Sequence, residues 1–353
     1  MRTIGVLAAA CVVGASFLAT GAEERKQAAS VCASTSSSIH EEQFVSIGGI
    51  EQWITIKGAS CASPVILFLH GGPGNTLSPY ADSIYGAWAK DFTLVQWDQR
   101  GAGRTYGRNP PPIESTLTIE RMAEDGIELV TYLSQHLGKR KIILLAGSWG
   151  SVLGVHMAKS RPDLFHAYVG VAQIVNYREN QAASYARTIA LARAAADQRT
   201  VSALEALGPP PWVNPRSSGT LRRAIRGYEA KASTPAPESW WVRSPDYDTA
   251  KMRADYLEGE EFSYLQFVGF KGDGMFSKVD LPKLGTVFEI PVFIIQGSED
   301  LVTIPDVGKR YFDSIVAPQK EYIVVPNAGH DPNVAMIDAQ YKVMRERVRP
   351  LTK

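Results

Sequence analysis

Short, almost wholly apolar runs separated by segments of helical period constrain this chain more than any other feature. The runs are Val65–Leu69, Phe92–Trp97, Ile142–Leu145, Ala167–Val171, Val292–Gln296 and Tyr322–Val325. They are too short for buried helices and lack the strict alternation of a strand with one solvated face. Between them, residues 118–137 place Ile119, Met122, Ala123, Val130, Leu133 and Leu137 at three- and four-residue steps. Glu120, Glu124 and Asp125 lie near the end of that segment where a helix dipole is positive. A second helix is expected from just beyond Ser148 to about Ser160, and amphipathic segments at 305–316 and 334–348 complete the chain. Two further strands are expected from Phe44 onward. Strand–helix alternation with apolar strands predicts an α/β fold, its sheet mostly parallel and covered on both faces.

The alternation breaks from about Gln173 to Gly285. That stretch is Ala/Arg-rich and helical to Leu207, where Gly208-Pro209-Pro210-Pro211 ends it. A Trp/Tyr-rich stretch follows, with Trp240, Trp241, Tyr247, Tyr256 and Tyr264. An insertion of this kind, at 173–285, predicts a helical cap over the strand ends of a core formed by 44–172 and 286–353. A chain of 353 residues is long enough for one such core and an inserted unit.

Charge excludes one class of partner. Lys and Arg number 37 and Asp and Glu 36, giving +1, and no basic block stands out, so nothing argues for a nucleic-acid surface. The 3 cysteines, Cys11, Cys32 and Cys61, show no ligand spacing with histidines, and no metal site is expected.

The amino terminus reads as an address. Met1-Arg2-Thr3 is a short positive region, Ile4–Ala19 is uncharged and apolar, and Thr20-Gly21-Ala22 offers small residues for cleavage. The expectation is a signal peptide at 1–22, a flexible leader at 23–43, and a secreted or periplasmic protein without stable membrane association after cleavage. The mature chain would keep Cys32 and Cys61. That even pair either joins in an oxidising compartment, tacking the leader to the domain, or stays as two thiols.

The chemistry falls at strand ends in a fixed order. Ala146-Gly147-Ser148-Trp149-Gly150 lies between a buried strand and a helix. A nucleophile on such a turn needs small neighbours, and the turn lifts its hydroxyl to the helix's positive end. Ala146 stands where the usual pattern has glycine. A serine hydroxyl needs a base. Of the 6 histidines (His40, His70, His136, His156, His166 and His330), only His330 lies in a loop beyond the last strand. His156 and His166 are expected on helix and helix-end surfaces. Asp300, directly after the strand at 292–296, is the candidate to orient the imidazole, with Glu299 and Asp306 as competitors. The loop His70-Gly71-Gly72-Pro73-Gly74 can turn an N–H towards a reacting carbonyl, and the Trp149 amide would be the second donor.

Taken together, His70–Gly74, Trp97-Asp-Gln-Arg-Gly-Ala-Gly-Arg104, Gly147–Ser151, the Asp300 loop and Gly329-His330 resemble the proline iminopeptidase branch of the α/β-hydrolases. The resemblance runs across roughly 44–172 and 286–349. It implies an α/β-hydrolase fold with an inserted helical cap, Ser148, Asp300 and His330 as triad, Gly72 and Trp149 as oxyanion donors, and no cofactor. In such enzymes the segment at 97–104 shapes the pocket wall, and Asp98 and Arg100 are read as structural there. Iminopeptidases also hold the substrate's free amine with cap carboxylates near a Trp-x-x-Trp-Glu segment. This cap has only Glu238-Ser239-Trp240-Trp241, in another order. Glu179, Glu205, Glu229, Glu258, Glu260 and Glu261 are available, and none is assigned.

The reading is therefore a serine hydrolase releasing N-terminal proline, or another small residue, from short peptides. One alternative is an esterase or amidase acting on an acyl substrate without a free amine. Another is a ligand receptor on a hydrolase fold, since one fold hosts many functions. A carboxylate-nucleophile hydrolase is excluded by Ser148 at the elbow.

Overall fold

In a computed structural model, Cys32 and residues 37–112 and 115–353 are described. The expected signal segment at 1–22, and the leader from 23 to 36 apart from Cys32, lie outside the described residues. Eight strands pair into one sheet: β1 (Ile39–Ile47), β2 (Ile50–Gly58), β3 (Val65–Leu69), β4 (Thr93–Asp98), β5 (Ile142–Gly147), β6 (Phe165–Val171), β7 (Val292–Gly297) and β8 (Lys320–Val325). Their order is β1-β2-β4-β3-β5-β6-β7-β8. From β4 to β8 every pairing is parallel, and the β1–β2 hairpin joins antiparallel at one edge.

Side-chain alternation along these strands decides the layering. Leu67, Leu69, Val95, Trp97, Leu144 and Ile294 point into one buried cluster. Their neighbours Ile66, Phe68, Leu94, Ile143, Leu145, Phe293 and Ile295 point into a second. Both faces of the sheet are thus covered, which is why its central strands carry no polar alternation.

The helices are α1 (Ala81–Tyr85), α2 (Gly103–Arg108), α3 (Ile119–Leu137), α4 (Trp149–Ser160), α5 (Tyr177–Ala194), α6 (Gln198–Leu207), α7 (Pro215–Ala232), α8 (Ala250–Val268), α9 (Pro305–Ser314) and α10 (Val334–Val343). α3 follows the expected span closely. The Thr118 hydroxyl caps its start by accepting from the Arg121 amide at 3.1 Å, and Gly138, at φ +64°, ends it.

Two expectations are corrected. The first strand begins at Ile39, not Phe44, so part of the expected flexible leader belongs to the sheet. Ile39, Val45 and Ile47 turn inward and are buried, while His40 and Glu42 face solvent. An edge strand with one wet face looks polar in sequence. His166, expected at a helix end, lies within β6 and is half-buried. The open question about the cysteines also has an answer: Cys32 and Cys61 are joined. Beside that bond the Cys61 amide donates to the Ser37 carbonyl at 2.9 Å.

Between β6 and β7 the chain leaves the sheet to form α5–α8. α8 runs through the stretch that composition marks only as Trp/Tyr-rich. It packs across the loop after β4, where Ser263 donates to the Gly101 carbonyl at 2.7 Å. It also closes on the loop after β3: a Cβ added at Gly74 would stand 2.8 Å from the Glu260 Cα. The β4 loop is fixed from below. Asp98 accepts from the Arg104 amide at 2.8 Å, and Arg100 pairs with the buried Asp125 of α3 at 2.7 Å. Asp98 and Arg100 thus have structural partners. The inserted helices lie over the carboxyl ends of the strands, where the candidate site residues stand.

Candidate active site

Ser148 follows β5 directly and caps α4 with φ +49° and ψ −118°, a conformation side-chain-bearing residues seldom adopt. Close packing forces this turn. Gly150 meets the backbone of β3 so tightly that an added Cβ would lie 2.0 Å from the Leu69 carbonyl oxygen. Ala146, in place of the usual glycine, is accommodated because α4 presents Gly154 to it; a Cβ at Gly154 would be 3.0 Å from that of Ala146. The Ser148 amide is tied to the Val171 carbonyl at 2.9 Å, which fixes the elbow to the neighbouring strand.

His330 reaches Ser148 from the loop after β8, its Nε2 2.9 Å from the Ser148 Oγ. Its Nδ1 lies 3.0 Å from Oδ2 and 3.2 Å from Oδ1 of Asp300, in the loop after β7. Asp300 is fully buried, yet both oxygens of its carboxylate accept hydrogen bonds. The amides of Thr303 (2.7 Å) and Val302 (2.9 Å), the Thr303 hydroxyl (2.6 Å) and Gln296 Nε2 (2.9 Å) all donate to it. Burial works against the charge of Asp300, but His330 and the Thr303 hydrogen bonds prevail and hold its pKa below the ordinary carboxylate value. Burial likewise opposes an imidazolium at His330, and the Asp300 carboxylate overcomes it, so the His330 pKa is raised. Neither competitor takes this place. Asp306 is exposed in the first turn of α9, and Glu299 accepts from the Ser298 hydroxyl at 3.0 Å.

The glycine loop stands opposite. A Cβ at Gly71 would lie 3.2 Å from that of Ser148, so the loop passes directly beside the hydroxyl. Gly72, at φ +108°, holds a conformation open to glycine, and a Cβ there would strike the Asn75 amide nitrogen at 2.7 Å. Trp149 is the first residue of α4, where an amide has no intrahelical acceptor. His70 braces the loop. It is buried, and desolvation pushes its pKa down to about 4 despite its bond to Gly71, so it is neutral. Nδ1–H then donates to the Gly71 carbonyl at 2.9 Å, and Nε2 accepts from the Gln99 amide at 3.2 Å.

Sequence reasoning missed two residues here. Gln99 donates to the His70 carbonyl at 3.1 Å and accepts from the Trp149 indole at 3.2 Å, so it links the glycine loop to the elbow. It lies inside the Trp97–Arg104 motif, which was the available signal. Glu229, one of several unassigned insertion glutamates, is buried against the Asp300 and His330 loops. Glu260 of α8 accepts from Asn75 Nδ2 at 2.7 Å beside the glycine loop. The remaining glutamates point elsewhere: Glu179 pairs with Arg310, Glu205 pairs with Arg193, and Glu238, Glu258 and Glu261 are exposed. Among the described residues, no group of three or more His, Cys, Asp or Glu could hold a metal ion.

The model of the family described as the alpha/beta hydrolase fold matches residues 64–334. A probable aminopeptidase, YbaC, of Bacillus subtilis is 28% identical over 300 residues, covering 82% of this chain and 90% of its own. A proline iminopeptidase of Neisseria meningitidis is 26% identical, covering 80% and 87%. Among solved structures, a Mycobacterium smegmatis proline iminopeptidase superposes with a TM-score of 0.64 at 19% identity, covering 88% of this chain and 99% of that one.

Proposed function

The chain belongs to the alpha/beta hydrolase fold family, and from that membership we propose that it is a serine aminopeptidase releasing N-terminal residues, proline by preference, from short peptides. The observation that carries the reading is the hydrogen-bonded series Ser148 Oγ, His330 Nε2, His330 Nδ1 and Asp300 Oδ2, at 2.9 and 3.0 Å. Relatives called aminopeptidase and proline iminopeptidase support the substrate class.

In this mechanism Ser148 Oγ attacks the carbonyl carbon and passes its proton to His330 Nε2. The amides of Gly72 and Trp149 hold the oxyanion, and Asp300 stabilises the imidazolium. Collapse breaks the carbon–nitrogen bond, and His330 gives its proton to the leaving amine. A water then attacks the acyl-enzyme and yields a proton to His330, which returns it to Ser148 as the acid leaves. No cofactor takes part.

A free amine needs a negative group near the glycine loop. Glu260 supports this part of the reading, because its carboxylate is half-buried on α8 with Asn75 as partner and, among the described residues, lies in no ion pair with Lys or Arg. The reading also includes export. The charged, apolar and small-residue order of residues 1–22 and the Cys32–Cys61 bond both support a secreted or periplasmic protein.

The test is kcat/KM on a proline arylamide, its N-acetylated counterpart and a short p-nitrophenyl ester, with Ser148→Ala as blank. The free-amine arylamide should be favoured, and Glu260→Gln should lower kcat/KM on it alone, by about tenfold or more if a charge-assisted bond is lost. Ester cleavage with neither arylamide touched would replace the aminopeptidase by an esterase.

A further inference from the structure

Glu229 sits near the end of α7 with 7% of its surface exposed, and its side chain crosses from the insertion to both loops of the candidate triad. Oε1 accepts the amide of Leu301, next to Asp300, at 2.7 Å. Oε2 accepts the amide of His330 itself at 3.4 Å. Gly329 leaves room for this approach, since a Cβ there would stand 3.2 Å from Oε2. The backbone beyond α7 is sewn to the same place. The Thr234 amide donates to the Asn327 carbonyl at 2.9 Å, and Asn333 Nδ2 donates to the Thr234 and Asn327 carbonyls at 3.0 Å each. A glutamate on a helix is ordinarily solvated, and burying one is costly unless its oxygens find donors. Here the donors come from the residue after Asp300 and from His330.

We propose that Glu229 is a positioning residue of the triad, joining the inserted helices to the Asp300 and His330 loops and so setting the reach of His330 to Ser148. This rests on the reading of Ser148, Asp300 and His330 as a catalytic triad. Two consequences follow from the charge. Around the carboxylate stand Asp300 and His330 from the loops, with Asp331 beyond and Arg222 on α7 also acting on His330. Burial, then Asp300, raise the Glu229 pKa to about 7 against the pull of His330 and the two amides. Its charge therefore changes near pH 7, and the pKa of His330 is likewise raised above its ordinary value. By Coulomb reciprocity the Glu229 carboxylate favours the imidazolium, and its protonation removes an acceptor facing the loop amides. The competent form has Glu229 ionised and His330 neutral. Activity then rises with pH through two ionisations, and the acid limb is steeper than one proton allows.

The experiment measures, across that limb, the rate constant for Ser148 labelling by a fluorophosphonate and kcat/KM on the free-amine arylamide and the p-nitrophenyl ester. Full-length wild type, Glu229→Gln and Glu229→Asp are compared. Glu229→Gln should slow labelling and both hydrolyses by the same factor, about tenfold to a hundredfold for a displaced base, and should reduce the limb to one proton. Glu229→Asp keeps the charge but is one methylene too short to span both loops. It should be slower than wild type while retaining the steep limb, and it decides the matter if the Gln variant does not fold. Wild-type rates and limb shape in either variant would overturn the proposal. So would a loss confined to the free-amine substrate, which would make Glu229 an amine-binding group. Equal labelling of wild type and Ser148→Ala would instead sink the triad reading on which the proposal stands.

Discussion

His330 carries two opposed demands. As the base of the proposed mechanism it must be neutral, yet Asp300 outweighs burial and raises its pKa above the ordinary 6.5. The sign follows directly: lowering the pH through that raised value protonates Nε2, blocks proton transfer from Ser148, and removes activity on the acid side. Asp300→Asn should shift the His330 ionisation downward, because the countercharge is gone, and should cut kcat by roughly 10⁴ as the imidazole loses its orienting partner. The kcat/KM profile of the two proteins checks both parts; an unmoved acid limb would separate Asp300 from His330. These three residues were legible in sequence because each lies just past a strand in a fixed order. Glu229 was not legible. What distinguishes it from Glu205 or Glu258 is contact with Leu301 and His330, far along the chain, and no local pattern encodes such a contact.

Elements owe their placement here to a few close approaches. Gly150 lets α4 start against β3, with an added Cβ 2.0 Å from the Leu69 oxygen and 2.6 Å from its carbonyl carbon. Both are backbone atoms and cannot rotate away. Gly150→Ala should therefore destabilise by about 1–3 kcal/mol or more, as overpacking does, and should slow fluorophosphonate labelling because the elbow shifts. Gly147 is the contrast, with nothing within 4 Å of an added Cβ. Gly147→Ala should leave the stability nearly unchanged, within about 0.5 kcal/mol. Thermal unfolding of the pair checks the distinction; equal losses would remove the packing argument. Sequence pattern located α3, α4 and the inner strands well, since each buries one face or both. It failed at β1, whose outer face is wet from His40 to Glu42, and at α8. Tyr256 and Gly259 of α8 meet different neighbours, the aromatic Tyr80 and the β4 loop, so no single apolar stripe marks the helix.

At the scale of the whole molecule, the site and the covalent tie occupy opposite ends of the sheet. Ser148 follows the carboxyl end of β5, whereas Cys61 precedes the amino end of β3, and these two strands run parallel. Cys32 and Cys61 are separated by 29 residues, so closing that loop restricts the unfolded chain and contributes about 3–4 kcal/mol by the chain-entropy relation. Removing it should act on stability without touching the geometry that holds His330 to Ser148. The Cys32→Ala/Cys61→Ala double variant should lose roughly that stability in denaturant titration, while its kcat/KM well below the transition stays at the wild-type value. The same loss should follow when wild type is made in a reducing compartment and return on oxidation, which ties the fold's margin to the redox state of its surroundings. An active-site loss at unchanged stability would mean that strain passes across the sheet from Cys61 to the elbow, contrary to the separation of the two ends.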